Sequence, residues 1–199
     1  MTKSANFRTA DHEIDEVFLE RWSPRAFTEE EITEEDLFSM FEAARWAPSS
    51  YNSQPWVFIY ARRSSPHWDK LLGLLNEFNQ SWAKRAGAIV VMASNSVMLP
   101  PGAEKAVPSH SHSFDAGAAW GYFALQGAKL GWHAHGMVGF DIARAFGELD
   151  FPEGYRVEAA AAVGRLGDKS ILPEGLQKRE APSPRKPVTD FAFEGAFKA

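Results

Sequence analysis

Hydrophobic and polar residues repeat along this chain on two different periods, and the switches between them mark its elements. Leu37, Met40, Phe41 and Ala44 recur at i, i+3, i+4 and i+7, which predicts a helix with one apolar face. Thr33 is a natural N-cap, and Glu34, Glu35 and Asp36 complement the helix dipole in the first turn. Pro48 disfavours helical geometry at Ala47, so the helix should stop there. Residues 1–20 form a polar lead-in with Ile14, Val17 and Phe18 at helical spacing. The aromatic and β-branched run Trp56-Val57-Phe58-Ile59-Tyr60 predicts a strand, and Trp68, Leu71, Leu72 and Leu75 predict another helix. Residues 88–93 are continuously apolar, as expected for a strand covered on both faces.

Residues 94–113, rich in Pro, Ser and His, suggest a mobile surface loop or lid. Residues 114–130 are rich in Ala and Gly around Trp120, Phe123 and Leu125. Small residues at helical spacing imply close helix packing, within the domain or across a dimer interface, and Gly131 is a natural stop. Residues 133–138 predict a strand, Asp141 a cap for a short helix, and 156–164 a further strand, although its alanines alone would favour helix. Residues 165–199 carry Pro173, Pro182, Pro184 and Pro187 without periodicity. They end in Phe191, Phe193 and Phe197, apolar anchors that a tail embracing a partner subunit would bury. The alternation of helices and strands points to an α+β fold, one sheet flanked by helices, in a single domain over 1–199.

Composition narrows the function. At 45% hydrophobic the chain can fill a core, and seven Trp with fifteen Phe leave rings to spare for a cavity or interface. A net charge of −5 argues against a generic nucleic-acid binder. The absence of cysteine removes disulfides, thiolate metal sites, iron–sulfur clusters and a Cys nucleophile. No apolar run is long enough to span a membrane, and the Met1-Thr2-Lys3-Ser4 start is no signal peptide, so a cytoplasmic location is the expectation.

Two loops carry the chemistry. Arg21, Ser23 and Arg25 sit at i, i+2 and i+4, which in extended chain places two guanidiniums and a hydroxyl on one face, an arrangement suited to phosphate. A solvated surface loop is the plain alternative. Ser49, Ser50, Asn52 and Gln54, bracketed by Pro48 and Pro55, present neutral donors and acceptors suited to the edge of a polar ring, or form an ordinary Ser/Asn turn. His110 with His112, and His133 with His135, have a spacing a strand could use for a metal. Neither pair has an adjacent carboxylate, and the expectation is lid or core histidines with no metal.

The motifs Arg21-Trp22-Ser23-Pro24-Arg25-Ala26-Phe27, Ala47-Pro48-Ser49-Ser50-Tyr51-Asn52-Ser53-Gln54-Pro55-Trp56, Asn79-Gln80-Ser81-Trp82-Ala83, Leu130-Gly131-Trp132, Gly139-Phe140-Asp141 and Pro184-Arg185-Lys186-Pro187 occur in the order found in the FMN-dependent nitroreductases, a family this chain resembles over nearly its whole length. The resemblance implies a mainly antiparallel sheet flanked by helices and a C-terminal extension exchanged with the partner of a homodimer. It also implies two FMN sites at the interface. Arg21, Trp22, Ser23 and Arg185 would surround the phosphate, and Arg25 would lie near the ribityl chain and pyrimidine edge. Pro48, Ser49, Ser50, Asn52 and Gln54 would come from the other subunit. Asn79 would approach the pyrimidine carbonyls, and Met137, Val138 and Gly139 would pass beside flavin N5. Arg25, Val138 and Gly139 would tune the flavin, with no side chain essential as acid or base.

Two positions depart from the family pattern. Trp82 stands where some members carry a flavin-reaching Lys, and Ser183 stands at a second C-terminal phosphate-binding cation. The resemblance implies ping-pong transfer of hydride from NAD(P)H to a small acceptor such as a nitroaromatic, quinone or activated alkene. Dehalogenation, substrate dehydrogenation, non-catalytic flavin binding and a His-metal enzyme are the alternatives.

Overall fold

The computed structural model describes residues 6–197, and the polar start Met1-Thr2-Lys3-Ser4 lies outside them. Helices α1 (Val17–Glu20), α2 (Glu34–Arg45), α3 (Trp68–Gly73), α4 (Glu77–Ala83), α5 (His112–Lys129), α6 (Ile142–Glu148) and α7 (Glu174–Gln177) alternate with strands β1 (Trp56–Arg62), β2 (Ala88–Asn95), β3 (Val97–Met98), β4 (Val107–Pro108), β5 (His133–Met137) and β6 (Tyr155–Gly164). The main sheet has the order β1-β2-β6-β5, every pair antiparallel.

The expected caps form. The Thr33 side chain accepts from the Asp36 N–H, and Asp141 accepts from Arg144 N–H. Helix α2 ends at Arg45, two residues before Ala47. Gly131 ends α5 with φ +78°, the left-handed geometry that glycine adopts without penalty. Strand β6 overrides the helical preference of its alanines. It lies between β2 and β5, with Ala160 and Ala162 facing one core and Ala161 and Val163 the other. A strand buried on both faces is decided by its neighbours rather than by intrinsic propensity.

One core joins the sheet to α3, α4 and α6 through Leu71, Leu74, Trp82 and Ala145; the opposite core joins it to α2 and α5 through Leu37, Met40, Ala119 and Phe123. The small residues of α5 serve close packing inside the chain, since a Cβ on Gly127 would sit 2.6 Å from Met40 Cε. On its outer side a Cβ at Gly117 or Gly121 would meet nothing within 4 Å.

Two regions differ from expectation. The stretch 94–113 is not one loop. Strand β2 runs to Asn95, β3 and β4 pair as a hairpin, and α5 starts at His112, leaving Ser96, 99–106 and 109–111 outside helix and strand. The C-terminal segment is not an extended tail from 165 onward either. Leu172, Leu176 and Glu180 are buried against their own chain, and beyond Glu180 no described residue is buried.

Candidate functional site

Strand β5 forms one edge of the sheet, and the Arg21–Arg25 segment runs along it. His133 and His135 project to the same face by strand alternation. The Trp22 ring meets His133 edge-on at 6.0 Å, and the Pro24 carbonyl accepts from His135 Nδ1 at 2.9 Å, which fixes the proton on that nitrogen. Arg21 Nη1 donates to Ser23 Oγ at 3.3 Å, so these two act together as the spacing suggests.

Arg25 takes a separate course. Its guanidinium lies 5.9 Å over the Trp82 ring and 3.8 Å from Glu180 Oε2, while Glu180 Oε1 accepts from the backbone N–H of Arg25 (2.5 Å) and Ala26 (2.8 Å). Glu180 is buried, and it compensates the charge that sequence reasoning assigned wholly to the flavin. Trp82 itself is a buried platform, 4.7 Å from the His135 ring.

Electrostatics at this end is cationic. Burial, then the charges of Arg21 and Arg165, hold His133 below its ordinary pKa. His135 is lowered mainly by burial, with Arg25 adding and the Pro24 carbonyl and Glu180 opposing. Both shifts favour the neutral imidazole. Arg21 is lowered by burial and then by the charge of Arg185 in the same chain.

At the other end of β5 the chain presents amides. Asn76 caps α4 by accepting from Asn79 N–H at 2.9 Å, and Asn79 Nδ2 donates to the Gly139 carbonyl at 2.9 Å. A Cβ on Gly139 would fall 2.6 Å from Asn79 Nδ2 and 2.7 Å from Asn76 Nδ2, so only glycine lets both carboxamides close on the backbone. Met137 is buried, whereas Val138 just beyond the strand is 76% exposed. From His133 to Gly139 the extended backbone covers about 20 Å at 3.3 Å per residue. Along that length cations give way to carboxamides.

The second loop is built differently. Pro48 leads into a single turn, Ser50–Asn52, in which Tyr51, Asn52 and Gln54 have φ of 51°, 55° and 47°. Ser49 Oγ accepts from Gln54 N–H at 3.0 Å. The buried carboxylate of Asp115 on α5 accepts from Ser50 N–H at 3.1 Å and Ser111 Oγ at 3.0 Å. The loop is thus anchored to α5, and it turns Asn52 and Gln54 to the exterior.

A cavity of about 340 Å³ lies beside β5, lined by Met92, Trp120, Gly136, Met137, Val138 and Glu158 among others. The β2–β6 register shifts between Met92 and Ala93, which leaves Glu158 as the extra residue of a bulge. Its Oε1 accepts from Ser94 Oγ (2.5 Å) and Ser113 Oγ (2.6 Å), and Ser94 Oγ lies 2.7 Å from His112 Nδ1. His112 is thus the first residue of a helix in a hydrogen-bonded cluster, and not part of a lid. Among the described residues no three His, Asp or Glu side chains group to hold a metal, and no helix is long and apolar enough to cross a membrane.

Sequence reasoning missed Arg8, Asp115, Glu158 and Glu180. An acid in the first turn of an Ala/Gly-rich helix could have flagged Asp115; the other three have no local signal. Arg8 Nε, Arg25 Nε, Trp82 Nε1 and His133 Nδ1 are buried and have no hydrogen-bond partner. A phosphorylated flavin, with phosphate oxygens at one end and ring carbonyls and nitrogens at the other, fits this set of unused groups.

The sequence model of the nitroreductase family matches residues 19–77. A crystal structure of an oxidoreductase containing FMN is 47% identical, covering 100% of this chain and 99% of that one with a TM-score of 0.94. An uncharacterized 15.4 kDa protein of Mycolicibacterium smegmatis is 33% identical over 64% of this chain and 82% of its own length. A putative NADH dehydrogenase/NAD(P)H nitroreductase of Streptomyces coelicolor is 27% identical over 64% of this chain and 70% of its own length. With the fold, the motif order and these relatives in agreement, the chain belongs to the nitroreductase family.

Proposed function

We propose that this chain is one FMN-binding domain of a cytoplasmic homodimer that moves hydride from NAD(P)H to a small organic acceptor in a ping-pong cycle. The observation that carries the reading is the order of groups along β5: Arg21 and Ser23 at the His133 end, Trp82 and Arg25 midway, Asn79 and Gly139 at the far end. That order matches phosphate, ribityl chain and pyrimidine. When bound, FMN supplies the hydride-accepting and hydride-donating chemistry at N5.

The chain's own residues bind and orient. Arg21, Ser23 and Arg185 would hold the phosphate by charge-assisted hydrogen bonds. Arg25 Nε, buried and without a partner, would donate to the flavin, although Glu180 tempers its charge. Asn79 would read the pyrimidine edge, and the backbone of Val138 and Gly139 would meet the reactive edge. The apolar cavity beside Met137 and Val138 would seat a flat acceptor away from water.

The dimer is supported by apolar groups left in solvent: Phe114 is 81% exposed, Val138 76%, and Phe191 64%. Asn52 and Gln54, turned outward, with Ser49 and Ser50 half-buried behind them, would serve the partner's flavin, and the segment beyond Glu180 would wrap the partner.

The test is spectroscopic. Purified protein is expected to carry flavin absorption, to bleach anaerobically with NADH or NADPH, and to recover colour when an acceptor is added. A protein that retains no flavin, or whose flavin neither nucleotide bleaches, refutes the proposal.

A further inference from the structure

We propose that Arg8 is the third cation of a phosphate-monoester site shared with Arg21 and Arg185, and that it takes the 5′-phosphate of FMN; the inference rests on the flavin reading above. No motif points to Arg8. It lies in the polar lead-in, thirteen residues before Arg21 by the hydrogen bond that joins them.

Arg8 Nη1 donates to the carbonyls of Leu19 and Arg21, both at 2.9 Å. The guanidinium is therefore fixed against the backbone that carries Arg21, and its Nε is shut off from solvent with no partner. The charges of Arg185 and Arg21 both bear on Arg8, and the charge of Arg185 bears on Arg21. None of the ion pairs formed among the described residues involves any of the three.

Three guanidiniums gathered without a carboxylate repel one another, in a chain whose net charge is −5 and which has acids to spare. The arrangement gains its purpose from an anion placed among them. A phosphate monoester suits it better than a carboxylate, because it carries up to two charges and offers three oxygens to planar donors. Ser23 Oγ, beside Arg21 Nη1, adds a neutral donor. Where the family pattern has a second C-terminal cation this chain has Ser183, and Arg8 would supply that charge from the opposite end of the chain.

The probe is the pair FMN and riboflavin, which differ only by the phosphate, titrated by flavin fluorescence into flavin-free wild type, R8Q and R8K. Gln keeps a donor for a backbone carbonyl but no charge, and Lys keeps the charge. R8Q is expected to weaken FMN at least about tenfold, the scale of a lost hydrogen bond to a charged group, with riboflavin unchanged and R8K between the two. Inorganic phosphate is expected to raise the melting temperature of flavin-free wild type more than that of R8Q.

FMN affinity in R8Q equal to wild type overturns the inference and leaves Arg8 as a backbone clamp. An equal loss for riboflavin overturns it as well, since the effect is then structural. A loss confined to NADPH relative to NADH, with FMN unaffected, overturns it in favour of a nucleotide phosphate. Wild-type protein that binds neither flavin overturns the functional reading itself, whereas wild type that binds FMN with Arg8 indifferent overturns this inference alone.

Discussion

The Arg21 segment and the Ser49–Gln54 loop flank the same helix, α2, yet they hold their binding groups ready in opposite ways. The Arg21 segment has ordinary extended backbone and stores its cost in charge, with guanidiniums crowded together and buried nitrogens lacking partners. The other loop has no charged group of its own and stores its cost in backbone. Tyr51, Asn52 and Gln54 are non-glycine residues in the left-handed region, each costing on the order of 1 kcal/mol. Asp115 and Ser49 hold that strain in place. The first region is satisfied by a counter-ion, the second by rigidity. On the proposed function, the first would take a charged ligand into its own chain and the second would offer a fixed neutral surface outward.

The largest effect should come from the acid that frames the cationic region. Glu180→Ala leaves the Arg25 charge and two backbone N–H groups without their buried acceptor, and is expected to cost about 3 kcal/mol of stability in urea unfolding. Stability within about 0.5 kcal/mol of wild type would mean that water replaces the carboxylate, and that the cationic region is not framed from within.

Arg21→Ala should weaken FMN retention by about 1.5–3 kcal/mol while leaving riboflavin affinity alone. Retention at wild-type level would erase the electrostatic half of the comparison.

For the strained loop, Ser49→Ala should cost about 1 kcal/mol of stability and loosen the turn, seen as faster amide exchange at Gln54. Unchanged exchange there would show that Asp115 alone sets the loop.

The smallest effect is a pH dependence. His133 and His135 are held below the ordinary histidine value, which the unfolded chain keeps at about 6.5. The unfolded state then binds protons first as pH falls, so flavin-free protein should be fully stable above about 6.5 and lose stability below it. Melting between pH 7.5 and 5.5 checks this. His133→Asn should flatten the slope, because burial first, and then the charges of Arg21 and Arg165, oppose a protonated His133. A slope that the substitution leaves unaltered would remove the imidazoles from the account.

Much of this was legible beforehand because it rests on local rules. Thr33 and Asp141 cap their helices through the nearest free N–H groups, and the apolar run of β2 sits between two covered faces. Helix α5 packs closely at Gly127 because a missing side chain is visible in sequence. Other features depended on distant partners. Ala159 to Ala162 would favour helix alone and become strand because β2 and β5 lie on either side. Residues 94–113, loop-like in composition, contain a hairpin closed by Val97–Pro108 and Met98–Val107 pairing and a helix start at His112, beside Ser94 and Glu158. The segment after 165, aperiodic and read as an extended tail, buries Leu172, Leu176 and Glu180 against its own chain.

The sequence by itself determined most of the elements, the caps at Thr33 and Asp141, the family motifs and the pairing of Arg21 with Ser23, since periodicity, capping and close spacing act over a few residues. The tertiary structure decided which charges stand alone and which are compensated. Glu180 reaches Arg25 across 155 positions, and Asp115 reaches Ser50 across 65. Arg8 and Arg185, near opposite ends of the chain, come to act on Arg21. Electrostatic interaction depends on distance through space and on burial, and neither is written in the order of residues.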